Sequence, residues 1–148
     1  MTDLGVLADE RAVIGMVIDY ADALDSRDWE AFRALFADQV MMSSDLRPGN
    51  PVTLSADAMV TRVRSQVTQF NVTLHYVSNF AVTLDDDGAT CRSYLYAQHV
   101  NTQENGGGRF VAHGTYIHTL QRGPAGWLIS GLTVNLRIRD GEPPAPKS

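Results

Sequence analysis

The segment Leu74-His-Tyr-Val-Ser-Asn-Phe-Ala-Val-Thr-Leu84 marks the point where the chain changes from a helical to a strand-like pattern. β-Branched and aromatic residues recur in it with a period of about two, which is typical of a half-buried strand. Asp85-Asp-Asp-Gly88 follows directly, and runs of Asp and Gly favour a hairpin turn. The segment therefore predicts the first strand of an antiparallel sheet.

Three more strand-like runs lie downstream of this turn, and glycine-rich turns at 105–108 and 123–126 separate them. Consecutive strands joined by short turns form an antiparallel meander. The tail from residue 141 contains three prolines and is expected to be loose. The four predicted strands are 74–84, 89–103, 108–121 and 127–139.

The chain upstream of the sheet is predicted to be helical. Apolar residues recur at three- and four-residue steps over residues 7–24, with Tyr20 on the inner face. Asp28 and Ser55 are suitable N-caps for helices at 29–36 and 56–70. A short strand at 38–44 and a loop with Pro48, Gly49, Asn50 and Pro51 lie between them. Helices first and strands afterwards predict an α+β fold, with three helices packed on one face of a curved, mostly antiparallel sheet.

Composition limits the possible functions. The 148 residues, 44% of them hydrophobic, fit one domain spanning residues 1–148. A net charge of -5 with dispersed arginines argues against nucleic acid as a partner. The single cysteine, Cys91, leaves no disulfide or zinc pattern, so we expect neither a metal nor a cofactor. Without a leader-like start or a long apolar run, a cytoplasmic protein that does not enter membranes is expected.

Four residues are candidates for chemistry. Strand parity places His75 and His99 on one face of neighbouring strands, where both would line a pocket closed by the helices. Imidazole is a base near neutral pH, and a carboxylate on its far nitrogen fixes the tautomer and stabilises the cation. Asp25, at the corner after the first helix, is the expected partner. Tyr20 would reach the same cavity and donate a hydrogen bond.

Each candidate also has an ordinary structural interpretation. A strand histidine is more often a satisfied structural residue than a catalyst. Asp25 resembles a helix-terminal cap, and Tyr20 on an apolar helix face is normally core. His113 and His118 fall on opposite strand faces, and we interpret both as structural or surface groups. Nothing in the sequence suggests an activated Cys91 thiol.

The stretch from Tyr20 to Trp29 (YADALDSRDW), together with Leu74-His75-Tyr76 at the start of a strand, resembles the SnoaL-like branch of the NTF2-like superfamily. The resemblance extends from about residue 7 to 139 and is greatest to scytalone dehydratase, bile-acid 7α-dehydratase and hexachlorocyclohexane dehydrochlorinase. It implies the cone-shaped NTF2-like fold and a homo-oligomer, either a trimer or a dimer.

The resemblance also implies residue roles. Asp25 and His75 match the family's Asp–His pair, His99 matches a second histidine of scytalone dehydratase, and Tyr20 matches a pocket tyrosine of the bile-acid enzyme. The dehydrochlorinase has a lysine at the position of Tyr20, which makes halide elimination less supported. The polar pair on the third sheet strand of scytalone dehydratase falls here on Gly114 and Tyr116, so the substrate is expected to differ.

These observations lead to the hypothesis of a cofactor-independent lyase, dehydratase-like, acting on a small cyclic or polyketide- or steroid-like molecule. An isomerase or aldol-type cyclase would begin with the same proton abstraction, and a non-catalytic ligand-binding module is a further alternative. Arg137 near the end of the last strand is an additional candidate for the cavity mouth. The residues expected to shape the substrate pocket are Met42, Phe70, Leu95, Tyr116 and Asn135.

Overall fold

A computed structural model describes residues 2–46 and 51–144 of the chain. These residues form three helices and six strands, and their α+β arrangement is the predicted one. The predicted turn at Pro48, Gly49 and Asn50 lies outside the described residues, as do residues 145–148. The elements are α1 (Asp3–Ser26), α2 (Trp29–Ala34), β1 (Phe36–Ser44), β2 (Val52–Ser55), α3 (Ala56–Val67), β3 (Val72–Leu84), β4 (Gly88–Val100), β5 (Arg109–Gly123) and β6 (Gly126–Gly141), with a 3-10 turn at Gln103–Asn105.

The helix boundaries follow the predicted capping residues. The Asp28 carboxylate accepts a hydrogen bond from the Ala31 backbone N–H at 3.0 Å, and the Ser55 hydroxyl accepts one from Ala58 at 3.1 Å. Each satisfies a backbone donor that the first turn of a helix leaves unpaired. α1 ends at Arg27, whose left-handed backbone (φ 60°) turns the chain into α2. This corner fixes the position of Asp25.

The sheet has the strand order β2-β1-β6-β5-β4-β3. Strands β3 to β6 form the predicted antiparallel meander, while β1 pairs parallel to β6. Strand β2, which pairs antiparallel to β1, was not predicted because its four residues are too few to show a period. The helices cover one face of this mostly antiparallel sheet, so the predicted fold class is confirmed.

A β-bulge in β3 changes which side chains face the helices. The pairing with β4 shifts between Ser78 and Ala81, where Asn79 adopts a positive φ of 53°. One extra residue reverses the parity of the rest of the strand. Asn79 and Ala81, which strand parity places on the face of His75, are therefore exposed, and Phe80 packs against the core instead.

The core lies between the helices and the inner face of the sheet. Its main cluster includes Phe32, Met59 and Ile129, each fully buried, and such side chains stabilise the fold by roughly 1.5–3 kcal/mol each. A second, smaller cluster contains Phe70, Phe110 and Ala112. Among the described residues, no helix is long and apolar enough to cross a membrane.

Candidate active site

Asp25, in the last turn of α1, is held by three hydrogen bonds from β3. Oδ1 lies 2.6 Å from His75 Nδ1 and accepts from the Thr73 hydroxyl at 3.1 Å. Oδ2 accepts from the His75 backbone N–H at 2.6 Å. The carboxylate thus binds the backbone and the ring of the same histidine, which fixes both groups relative to each other.

These contacts define the charge of Asp25. Burial alone would raise its pKa, but the hydrogen bonds and the charge of His75, with help from Thr73, outweigh burial and hold the pKa below its ordinary value. An ionised carboxylate only accepts hydrogen bonds, so His75 Nδ1 must carry the proton between them. The His75 side chain is 5% exposed and borders the pocket, which leaves Nε2 as its free ring nitrogen.

His99 lies beside His75, with ring centroids 5.4 Å apart and planes at 86°. Its Nδ1 is 3.1 Å from the Phe110 carbonyl oxygen, which can only accept, so Nδ1 carries the hydrogen and Nε2 has a lone pair. Burial, and then the neighbouring His75, lower the pKa of His99 to about 4. At neutral pH His99 is therefore an uncharged hydrogen-bond acceptor on the pocket wall.

Two phenols complete the polar lining. Tyr20 on α1 and Tyr116 on β5 are buried, with ring centroids 5.7 Å apart and planes at 78°. Burial raises the pKa of both hydroxyls, so each stays protonated and can donate a hydrogen bond. The two phenols and the two histidines border one pocket. The structure thus brings the four predicted site residues together, with Asp25 directly behind His75.

The pocket is small and mostly apolar. It encloses about 70 Å³, less than the roughly 150 Å³ of a cavity that admits one benzene ring. Binding of a ring therefore requires side chains of the lining to move apart. The partly exposed ones are the best placed to do so: Leu46, Gln66, Leu136 and Pro144.

The family model for the SnoaL-like domain matches residues 5–133, which is most of the chain. The chain belongs to the SnoaL-like domain family. A search of curated proteins finds no match.

Solved structures share the fold of this SnoaL-like domain. The Kfla4162 protein from Kribbella flavida is 23% identical with a TM-score of 0.84, covering 91% of this chain and 95% of its own. A candidate scytalone dehydratase from Novosphingobium aromaticivorans is 25% identical with a TM-score of 0.81, covering 99% and 97%. The type 3 hexachlorocyclohexane dehydrochlorinase from Novosphingobium barchaimii is 16% identical with a TM-score of 0.79, covering 95% and 94%. The family model confirms the predicted family, and these structural similarities confirm the predicted cone-shaped fold.

In this SnoaL-like domain, the five residues predicted to shape the pocket lie in three different locations. Met42, Leu95 and Tyr116 border the pocket. Phe70 lies one layer behind it, where its ring packs against His99 at 5.2 Å between centroids. The prediction that Asn135 reaches the cavity is wrong.

Asn135 is exposed and borders a groove on the opposite face of the sheet, together with Arg137. The cause is a bulge at Ser130, where the pairing of β5 with β6 shifts. Counting alternate residues from Trp127 would turn Asn135 inward, but the extra residue reverses the parity and turns Val134 inward instead.

Sequence reasoning missed two groups at the Asp25 corner. Thr73 is buried and binds Asp25, and its position two residues before His75 on one strand face was the available signal. The Arg27 guanidinium donates from Nη2 to the Phe70 carbonyl at 3.1 Å and ties the corner to the turn between α3 and β3. No sequence signal revealed this contact, since it depends on the left-handed backbone of Arg27.

His113 and His118 lie on opposite faces of β5, as strand parity predicts. His113 stacks on Tyr96 on the outer face at 4.3 Å between centroids, whereas His118 is fully buried on the inner face. Burial also raises the pKa of the Cys91 thiol to about 11. Within residues 2–46 and 51–144, no group of three or more His, Cys, Asp or Glu side chains is placed to hold a metal ion.

Proposed function

We propose that this SnoaL-like domain is a cofactor-independent lyase that removes water from a small ring ketone with a hydroxyl group β to the carbonyl. The observation that carries the proposal is His75 at the pocket wall, bound through Nδ1 to an ionised Asp25 at 2.6 Å. This arrangement leaves Nε2 as a base and stabilises the imidazolium that forms when it accepts a proton.

The reaction follows from the positions of the polar groups. His75 Nε2 takes the proton from the carbon next to the carbonyl, and the electron pair of the C–H bond forms an enolate. Tyr20 or Tyr116 donates a hydrogen bond to the enolate oxygen, which an apolar pocket strengthens. The C–C double bond then forms as the β C–O bond breaks, and the leaving hydroxide takes the proton held by His75 and departs as water.

The role of His99 in this proposal is that of an acceptor. To polarise a carbonyl or protonate the leaving oxygen, His99 would need an N–H directed at the substrate. Its Nδ1 hydrogen faces the Phe110 carbonyl, so only the Nε2 lone pair is available. His99 is therefore assigned to orient the substrate by accepting a hydrogen bond from its hydroxyl group.

The polar groups of the site fit water better than chloride as the leaving group. The structural neighbours include a candidate scytalone dehydratase and a hexachlorocyclohexane dehydrochlorinase. Tyr20 stands where the resemblance places the dehydrochlorinase's lysine, so a charged donor near the leaving group is replaced by a neutral phenol. A neutral phenol can donate a hydrogen bond to the enolate oxygen that forms in a dehydration before hydroxide leaves.

The test is incubation of a panel of β-hydroxy ring ketones in deuterium oxide, followed by mass spectrometry and NMR. A dehydratase gives a product lighter by one water, and the remaining substrate gains deuterium next to the carbonyl if abstraction is reversible. His75→Ala should abolish both signals. His113→Ala is the matched control, because His113 lies on the outer face of the sheet.

Other outcomes would identify the alternatives. A product that keeps all atoms of the substrate and differs in mass only by the deuterium it has gained would indicate an isomerase or cyclase that shares the first step. Ligand binding that is equal in wild type and His75→Ala, with no turnover or exchange for either, would indicate a binding module. Turnover retained by His75→Ala would refute the assigned base.

We also propose that the chain forms a homo-oligomer through the outer face of its sheet. The large apolar side chains Tyr76, Tyr94 and Ile138 are 49–58% exposed there, and exposed patches of this kind commonly mark interfaces. A trimer or dimer is expected by light scattering of the purified chain. Tyr94→Glu should shift it to the monomer, and a monomeric wild type would refute the proposal.

A further inference from the structure

His118 on β5 and Ser93 on β4 are fully buried polar side chains that the fold leaves unpaired. Neither ring nitrogen of His118, nor the Ser93 hydroxyl, has a hydrogen-bond partner within the described part of the chain. Buried donors and acceptors are nearly always satisfied in proteins, and an internal water with about three hydrogen bonds is the usual solution.

The two side chains occupy neighbouring positions on the inner face of the sheet. Ser93 pairs with Tyr116 across β4 and β5, and Cys91 pairs with His118 two residues further along. Ser93 and His118 are therefore diagonal neighbours, with backbones about 7–8 Å apart. The two side chains make no hydrogen bond to each other, and a water molecule between two neighbouring polar groups can bond to both.

This pair lies directly under the polar wall of the pocket. His118 packs edge-to-face on Tyr20 and on Tyr116, with ring centroids 5.1 and 5.3 Å apart. Both tyrosines border the pocket, whereas His118 and Ser93 are not among its lining residues. The two phenols thus form a layer between the pocket and the unpaired groups.

The chemistry of the pair suits a neutral ligand that both donates and accepts. Burial lowers the pKa of His118 to about 3, so the ring is neutral and has one N–H donor and one bare nitrogen. The Ser93 hydroxyl likewise donates and accepts. A cation or an anion would gain no opposite charge from either side chain, whereas water matches both.

We propose that His118 and Ser93 form a buried water site beneath the Tyr20–Tyr116 pair. One water molecule bridges a ring nitrogen of His118 and the hydroxyl oxygen of Ser93. The inference of this water site is based on the unpaired buried atoms and does not depend on the proposed lyase activity.

A crystal structure of the full chain at about 1.5 Å resolution tests the site directly. A spherical density peak within hydrogen-bond distance of both a His118 ring nitrogen and Ser93 Oγ is expected. An empty position between the two side chains would overturn the proposal. Because the test uses the wild-type chain, it does not depend on the folding of any variant.

Thermal unfolding of Ser93→Ala, His118→Leu and the double variant gives a second test. If the two groups share one water, each single variant should lower the Tm by roughly 3 °C or more, and the double variant should lower it by less than the sum. His118→Gln, which keeps a donor and an acceptor, should retain more of the Tm than His118→Leu. If the groups are merely unpaired, each apolar variant should raise the Tm, and that result would refute the shared water.

Discussion

Two histidines on the inner face of the sheet, His75 and His118, have opposite surroundings. His75 is bound to a carboxylate from α1 and borders the pocket, whereas His118 lies deeper among aromatic rings with both nitrogens unpaired. The difference shows how burial alone and burial beside a charge act on the same residue type. Asp25 fixes the orientation of the His75 ring through Nδ1, while burial lowers the pKa of His118 to about 3 and keeps that ring neutral.

Removing the charge of Asp25 should abolish the difference between His75 and His118. Of the substitutions proposed, this one should have the largest effect, and the effect is on turnover. Asp25→Asn keeps the size of the side chain but no longer stabilises a protonated His75, and its amide can turn a donor toward Nδ1. Turnover of a confirmed substrate should fall by about 10²- to 10⁴-fold, the contribution typical of general base catalysis. Steady-state kinetics measure this effect.

The matched control is Asp57→Asn, because Asp57 is an exposed residue of α3. An equal kcat in wild type and Asp25→Asn would contradict the assigned Asp25–His75 pair.

The pH dependence of stability tests the deep histidine. The folded-state pKa values of His118 and His99, about 3 and about 4, lie below the ordinary 6.5. Below pH 6.5 the unfolded chain therefore binds protons that the folded chain does not, and stability falls as the pH falls toward these values. Each histidine contributes a slope of up to about 1.4 kcal/mol per pH unit.

In His118→Leu, the free energy of unfolding should depend less steeply on pH between pH 6 and pH 4, because the contribution of His118 is gone. Urea unfolding across that range measures this slope. Leu132→Val is the control, since Leu132 pairs with His118 across β6 and carries no titrating group. It should lower the free energy of unfolding by a similar amount at every pH. An unchanged slope in His118→Leu would show that His118 is not held neutral by the fold.

The smallest expected effect concerns the third hydrogen bond to Asp25. Thr73→Val removes the bond from the hydroxyl at 3.1 Å and leaves the two from His75 in place. The free energy of unfolding at pH 7 should fall by about 1 kcal/mol, and turnover by less than about tenfold. Thr83→Val, on an exposed position of the same strand, is the control. A loss as large as that of Asp25→Asn would mean that Thr73, rather than His75, positions the carboxylate.

Local sequence signals were sufficient to predict most of the fold. Capping residues and apolar spacing predicted the three helices, since Asp28 and Ser55 satisfy backbone donors within three residues of themselves. Turn residues predicted the four strands of the meander. Strand β2 was missed because four residues carry no period, and its pairing with β1 is a tertiary contact.

The side-chain directions were predictable only up to the first bulge in each strand. His75 precedes the bulge of β3, and its side chain lies on the face that parity predicts. Asn79 lies in the bulge, and its side chain is exposed instead of facing the helices. Asn135 follows the bulge at Ser130 and is turned outward for the same reason. Bulges arise from strand pairing and sheet curvature, which a single strand's sequence does not reveal.

The ring ¹⁵N NMR spectrum of His75 in the ligand-free chain at pH 7 tests the central claim most directly. The account predicts a protonated Nδ1, bound to Asp25 at 2.6 Å, and a bare Nε2 facing the pocket. Long-range correlations from the ring carbon-bound hydrogens distinguish the two nitrogens, and His75→Gln assigns the signals. A ring with its hydrogen on Nε2 and a bare Nδ1 would contradict the claim that His75 is a base oriented by Asp25.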